Sequence, residues 1–350
     1  MSHLLVTSLI ILFGSGAAFA AQALMIPLPF MLGPLIAVAA LASSPASARL
    51  PNEYRFPALL RQGFIAIIGL MIGAQVTPEL FANAPHLALS IGALTAFVLL
   101  ALAGNYVLFR RIGGYDRATA FYAAAPGGLY ESIALGEAAG ADMPRLMTQQ
   151  FLRIIVVVTV LPVGLSFYLG GPVGSAAGLS FAHGPVPWSA LPWLVLAGLA
   201  GWLLGRALRL PAPQLTGPLV VAAALNLMGL VHLDVPTWLV SVAQVIIGCA
   251  LGIRFAGIAR GLILRGAAMA AASVAGMLVL AAVIAALLRP MMGEAFDTLL
   301  ISFAPGGITE MGLIALSLAA NPAFVTLHHI VRILITVVAM AALGPRLRLK

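Results

Sequence analysis

A chain of 350 residues that is 62% hydrophobic and 8% charged cannot cover a soluble surface, because an ordinary soluble domain is about 25% charged. The net charge of +8 would suit nucleic acid, but the basic residues are scattered between apolar stretches, which leaves a polytopic helical membrane protein. The single cysteine, Cys249, excludes a disulfide framework.

The first apolar run, 4–23, has no Lys or Arg before it. Ala18-Phe19-Ala20 resembles a signal-peptidase site, but Gly14 to Pro29 matches Gly198 to Pro213 (198 − 14 = 184), and a cleaved leader has no reason to be half of a repeat. The run is read as a retained helix. Further helices are expected at about 30–45, opened by Leu32-Gly33-Pro34, and at about 57–77 and 85–109. A broken segment at about 117–140 carries Ala125-Pro126-Gly127-Gly128-Leu129-Tyr130-Glu131, and a helix at about 145–168 follows. After a Gly/Pro/Ser-rich connection the order repeats at about 188–208, 214–231, 236–254, 264–288, 296–319 and 323–344.

The second broken segment reads Ala304-Pro305-Gly306-Gly307-Ile308-Thr309-Glu310, and its offset from the first (305 − 126 = 179) also relates Gly69 to Gly248, Gly73 to Gly252 and Arg153 to Arg332. Several matched features in one register mark a duplicated unit. The chain therefore divides into a first transmembrane repeat at 1–170, a connecting loop at 171–187 and a second repeat at 188–350.

Lys and Arg collect on the cytoplasmic side of short loops. With the N-terminus inside, Arg55, Arg61, Arg110, Arg111, Arg117, Arg206, Arg209, Arg254, Arg260 and Arg265 all fall inside, and so do Arg49 and the basic C-terminus. The first helix then runs outward and its copy runs inward, so the repeats are inverted and each has an odd number of crossings. The expected fold is all-α, with about 10 spanning helices and two broken or re-entrant Pro-Gly-Gly segments. A re-entrant hairpin also puts Arg145 inside; a rival arrangement, in which the broken segment crosses and another element is incomplete, stays open.

Pro126 and Pro305 lack a backbone donor and end the incoming half-helix, while Gly127, Gly128, Gly306 and Gly307 permit the turn. The outgoing half-helices start with unpaired N–H groups and a partial positive charge that suits anions. A kinked helix with glycine packing would explain one such break more readily than it would explain two. The last helix of each repeat adds a polar run, Gln149-Gln150-Phe151-Leu152-Arg153 and His328-His329-Ile330-Val331-Arg332. An ionised Arg near a bilayer centre costs roughly 2.5–3.5 kcal/mol, so these side chains must pair or face water. Internal ion pairs, Glu131–Arg153 and Glu310–Arg332, are one solution. Arginines that bind an anionic solute beside glutamates that carry protons are the other, and the two can coexist. Tyr130 and Thr309 are candidates to line the cavity, His328 and His329 to titrate. Asn105, Gln75, Asn226 and Gln244 are expected to make interhelical hydrogen bonds.

No clustered metal ligands, Walker loop or DNA-binding motif is evident, so no cofactor, no catalytic residue and no direct nucleic-acid binding are expected. The duplicated Ala-Pro-Gly-Gly-x-x-Glu, the runs that end in Arg153 and Arg332, and the openings Gly33-Pro34-Leu35 and Gly217-Pro218-Leu219 resemble the AbrB-type bacterial integral membrane proteins over nearly the whole chain. That family carries the labels ammonia monooxygenase and regulator of gene expression. The resemblance implies a duplicated membrane protein of the bacterial inner membrane, here with both termini cytoplasmic. The expected function is secondary transport of a small anionic or polar organic solute, with proton coupling as an option and the lipid bilayer, the solute and protons as partners. A membrane-embedded sensor that affects gene expression is the alternative, and a membrane monooxygenase a more distant one. Self-association into a homo-oligomer is left open.

Overall fold

The computed structural model describes residues 3–45, 51, 54–74, 76, 84–171, 173, 190–210, 212–229, 235–256, 258, 260–318 and 320–344. Most of the expected connection at 171–187 lies outside the described residues, as do Gln75, Arg49, the basic C-terminus and the Tyr130 side chain. Among the described residues the chain is all-helical, with fourteen α-helices. In order they are α1 (His3–Ala23), α2 (Pro29–Ala42), α3 (Ala58–Ala74), α4 (Ala84–Val107), α5 (Arg117–Ala123), α6 (Leu129–Ala138) and α7 (Met143–Leu169). There follow α8 (Ala190–Ala207), α9 (Pro213–Leu227), α10 (Thr237–Gly252), α11 (Arg260–Met292), α12 (Phe296–Phe303), α13 (Ile308–Ser317) and α14 (Pro322–Leu343).

Among the described residues six helical stretches are long and apolar enough to cross a membrane: His3–Ala23, His86–Ile112, Met143–Leu169, Trp238–Phe255, Gly261–Met292 and Pro322–Leu343. Pro29–Ala42, Ala58–Ala74 and Leu191–Ala207 are apolar but shorter. Side-chain placement inverts that of a soluble protein. Leu4, Leu12, Phe19, Leu203, Val279 and Val338 are exposed, while Gln150, His328, His329 and Arg332 are fully buried. Hydrocarbon outside and polar groups inside is what lipid demands, because it offers no hydrogen bonds.

Local chemistry sets the helix starts. Pro29 and Pro213 occupy first-turn positions, where a missing N–H costs nothing, and the residues before them, Leu28 and Ala212, are both left-handed at φ 47° and 48°. Asp116 caps α5 by accepting a hydrogen bond from Thr119 N at 2.8 Å.

The chain folds into two compact units, and each draws on both halves of the sequence. The first comprises Met1–Leu80, Leu161–Gly257 and Gly312–Ala323. Its helices meet through glycines. A Cβ on Gly33 would strike the Ala17 carbonyl, and one on Gly217 the Gly201 carbonyl, so α2 lies directly on α1 and α9 on α8. Gly69 and Gly73 of α3 bear on the Leu215 and Leu219 carbonyls of α9. Gly248 and Gly252 of α10 bear on the Met31 and Leu35 carbonyls of α2. The carbonyl positions differ by the sequence offset of 184 and the glycines by 179 (215 − 31 = 184; 248 − 69 = 179). Small residues where the helices touch let the backbones approach, as membrane helix packing requires.

The second unit comprises Phe81–Val160, Ile258–Met311 and Phe324–Lys350, and it holds both Pro-Gly-Gly breaks. Its apolar core gathers Leu102, Phe109, Phe121, Tyr122, Leu146 and Met340 around α5.

Candidate functional site

The expected breaks are present. Helix α5 ends at Ala123 and α6 begins at Leu129, with Gly128 left-handed at φ 65° between them. Helix α12 ends at Phe303 and α13 begins at Ile308. Each half is 7 to 10 residues, about 10–15 Å of helix. The first segment is a hairpin. Asp142 N donates to Thr119 Oγ1 at 2.7 Å, which joins the end of the segment to its start, and a Cβ on Gly136 of α6 would lie 3.3 Å from Tyr122 Cβ of α5. The hairpin brings exposed arginines together at one end: Arg110 donates to Tyr115 O at 2.8 Å, and Arg145 lies 5.6 Å over the Tyr115 ring.

Incoming half-helices leave carbonyls unpaired at their C-terminal ends, with partial negative charge. The polar runs of the long helices supply the donors. On α7, Gln150 Nε2 donates to Tyr122 O at 2.9 Å and Arg153 Nη1 donates to Ala125 O. On α14, His329 Nε2 meets Ile301 O at 3.0 Å, and Arg332 donates from Nη1 to Ala304 O and from Nη2 to Gly306 O. Gln150 and His329, and likewise Arg153 and Arg332, are 179 apart, and so are their partners. Both arginines are buried, at 6% and 0% exposure, so these bonds offset a large desolvation cost.

The expected ion pairs of Arg153 with Glu131 and of Arg332 with Glu310 are not what holds the guanidiniums; their partners are backbone carbonyls. The acids serve the other side of each break. Glu131 and Glu310 lie in the first turns of α6 and α13, where a negative charge suits the helix start. Glu131 folds back so that Oε2 would be 3.4 Å from a Cβ on Gly128, and Glu310 Oε2 occupies the space a Cβ on Gly307 would need. Sequence alone could not assign those partners, because a carbonyl leaves no mark in a list of side chains.

Both breaks meet at α14. A Cβ on Gly127 would lie 3.3 Å from Arg332 Nε and 3.6 Å from Thr336 Oγ1, and one on Gly128 would lie 3.5 Å from Val337 Cγ2. Pro126, Pro305 and Gly306 are buried here, while Gly307 and Thr309 are half-buried. Two of the singled-out residues turn elsewhere. Gln149 Nε2 reaches the Tyr115 hydroxyl at 2.7 Å and Gly266 O at 3.2 Å. His328 holds Phe324 O at 2.8 Å through Nδ1 and Ser90 Oγ at 2.9 Å through Nε2, and Ser90 Oγ in turn reaches Leu87 O at 2.9 Å. Leu87 and Gly266 are again 179 apart, so Gln149 reaches directly the kind of carbonyl that His328 reaches through Ser90.

Asn105 ties α4 to the first break, donating to Ala124 O at 3.3 Å and accepting from Ser273 Oγ at 2.9 Å. Asn226 donates to Ala74 O and Val76 O at 3.0 Å each. Ser90, Tyr115 and Ser273 were not singled out by sequence; a serine inside an apolar helix was the only signal available for two of them. Among the described residues no three His, Cys, Asp or Glu side chains come together. Three of the four ring nitrogens of His328 and His329 hold carbonyls or a serine, so the copper or iron that a monooxygenase label implies does not fit these residues.

Comparison with known proteins gives a match of residues 30–347 to the family described as transition state regulatory protein AbrB. YhjN of Bacillus subtilis (strain 168) is 28% identical over 302 residues, which cover 81% of this chain and 76% of that protein. An Escherichia coli (strain K12) protein, AbrB, whose name calls it a regulator, is 26% identical over 311 residues, 88% of this chain and 86% of that protein.

Proposed function

This chain belongs to the AbrB family, and we propose that it is an inner-membrane secondary transporter of a small anionic or polar organic solute, coupled to protons. The observation that carries the proposal is the convergence of both helix breaks, each with a buried arginine, on α14 within one compact unit. Broken helices at depth are tolerated where they line a cavity or are buried in protein, and paired broken helices are the build of many transporters. In this reading the repeats are inverted, the Pro-Gly-Gly segments enter and leave on the cytoplasmic side, and both termini are cytoplasmic. The hairpin closure at Thr119 and Asp142 and the arginines gathered beside it support that orientation.

The solute's negative charge rests on Arg153 and Arg332. Protons are handled by His328, whose ring faces one partner able to reverse its hydrogen bond. A neutral His328 ring donates from Nδ1 to Phe324 O and accepts from Ser90 at Nε2. A protonated ring donates from both nitrogens, and Ser90 then turns its hydroxyl to Leu87 O. Proton uptake thus re-aims a hydrogen bond on α4.

The test is counterflow in proteoliposomes with a panel of organic acids. Wild-type protein should exchange at least one of them, and Arg332→Gln should lose at least tenfold in rate while its circular dichroism stays helical, with a melting temperature lowered by the lost carbonyl bonds. Loss of folding in that variant would assign the arginine to structure alone. The second reading, a membrane sensor, is favoured by the regulator names of the family and of the Escherichia coli relative. Binding without flux, together with altered transcript levels on deletion, would select it.

A further inference from the structure

Polar atoms that are buried without a hydrogen-bond partner gather on the two polar runs. They include Arg153 Nε and Arg332 Nε, which are donors, and Gln150 Oε1 and His329 Nδ1. All four residues are more than nine-tenths buried. The last two atoms are acceptors by elimination. Gln150 uses its amide nitrogen on Tyr122 O. His329 Nε2 faces the Ile301 carbonyl and so carries the ring proton, which leaves Nδ1 of the neutral ring with a bare lone pair. Donor and acceptor are three residues apart on each helix, hence on one face, and the two pairs are related by the 179-residue offset.

From this juxtaposition we infer that the site takes a small carboxylate which also carries a hydroxyl or ammonium donor, the chemical class of the 2-hydroxy and 2-amino acids. The carboxylate oxygens accept from the two arginine Nε–H groups. The neighbouring hydroxyl or ammonium donates to Gln150 Oε1 or His329 Nδ1. A simple monocarboxylate leaves both acceptors unanswered, and a neutral alcohol leaves both charges unanswered; buried polar groups left so penalise the wrong ligand. The breaks form one site and not two, because Arg332 binds the carbonyls of the second break while its Nε lies beside Gly127 of the first. The inference rests on the location proposed above for transport and sharpens the class of solute.

Full-length protein in lipid nanodiscs would be titrated calorimetrically with matched sets: lactate, alanine, propionate and methyl lactate, and then malate, aspartate and succinate. At least one hydroxy or amino acid should bind tenfold or more tighter than its unsubstituted parent, and methyl lactate should not bind. Gly127→Ala, which places a methyl 3.3 Å from Arg332 Nε at a position without positive φ, should weaken that binding at least tenfold. If this variant does not fold, the wild-type ranking decides alone. Equal binding of propionate and lactate would overturn the donor requirement and leave the anion site standing. Counterflow of some other solute, with none of these acids bound, would overturn the inference but not transport. Neither binding nor flux would overturn both.

Discussion

His328 has two ring nitrogens and two oxygen partners, and only one of those oxygens can change roles. The Phe324 carbonyl always accepts, whereas the Ser90 hydroxyl can donate to the ring or turn to Leu87 O. Around the ring stand Phe303 and Phe324, while His329 and Arg332 share its helix. Gln149, the equivalent residue of the other repeat, cannot change protonation state. His328→Gln is therefore expected to keep the fold and the solute affinity. It should remove the stimulation of uptake by an inward proton gradient that this role of His328 requires. Uptake rates at three external pH values check this, and a variant with the wild-type slope would place the proton elsewhere. The polar runs were legible in sequence because an Arg amid apolar residues demands a partner. Which partner was not legible. Glu131 and Glu310 looked like ion-pair mates, yet the guanidiniums took carbonyls, which every residue carries alike.

Short helices at depth need their ends satisfied more than long ones do, because a larger fraction of their backbone groups is unpaired. Helix α5, of seven residues, shows this at both ends, with Asp116 at its start, Gln150 on a carbonyl of its last turn, and Asn105 and Arg153 on the carbonyls beyond its end. Burial alone would push the Asp116 carboxyl up, but the hydrogen bonds from Thr119 and neighbouring N–H groups outweigh it and hold the group below its usual 3.8. A carboxyl lowered in the folded state stabilises above its unfolded value, and that contribution disappears as pH falls through the folded value. Asp116→Ala should cost about 1 kcal/mol. Below about pH 4 the gap between wild type and Asp116→Ala should narrow, which thermal melts across pH 3–7 would show. The Pro-Gly-Gly break itself was readable, because proline removes a donor whatever its surroundings. The return of the chain to Thr119 was only one of two options in sequence, since hydroxyl-to-backbone closure depends on where α7 begins.

On the scale of the whole chain, the glycines at 69, 73, 248 and 252 were recognised as a matched set, but not the helices they serve. Each pair sits on a helix from the opposite half of the sequence, a partner that no local pattern announces. Replacing Gly248 by Ala would drive a methyl into the Met31 carbonyl, and backbone there cannot rotate away as a side chain could. Gly248→Ala should lower the detergent melting temperature clearly, whereas Gly261→Ala, with open space at its Cβ, should not. If the halves are inverted as proposed, reporter fusions at residue 175 and after residue 350 will fall on opposite faces of the membrane, the former periplasmic. Two fusions active on the same face would end that proposal.

The crossed glycine packing also sets a timetable for synthesis. Gly69 must wait for Leu215, 146 residues later (215 − 69 = 146), which at 5–20 residues per second is roughly 7–30 s of translation. During that interval α3 stands without the neighbour it is shaped for. The first compact unit therefore cannot close behind the ribosome one helix at a time. It closes late, by sideways encounter of segments already released, once α9 and α10 have been made.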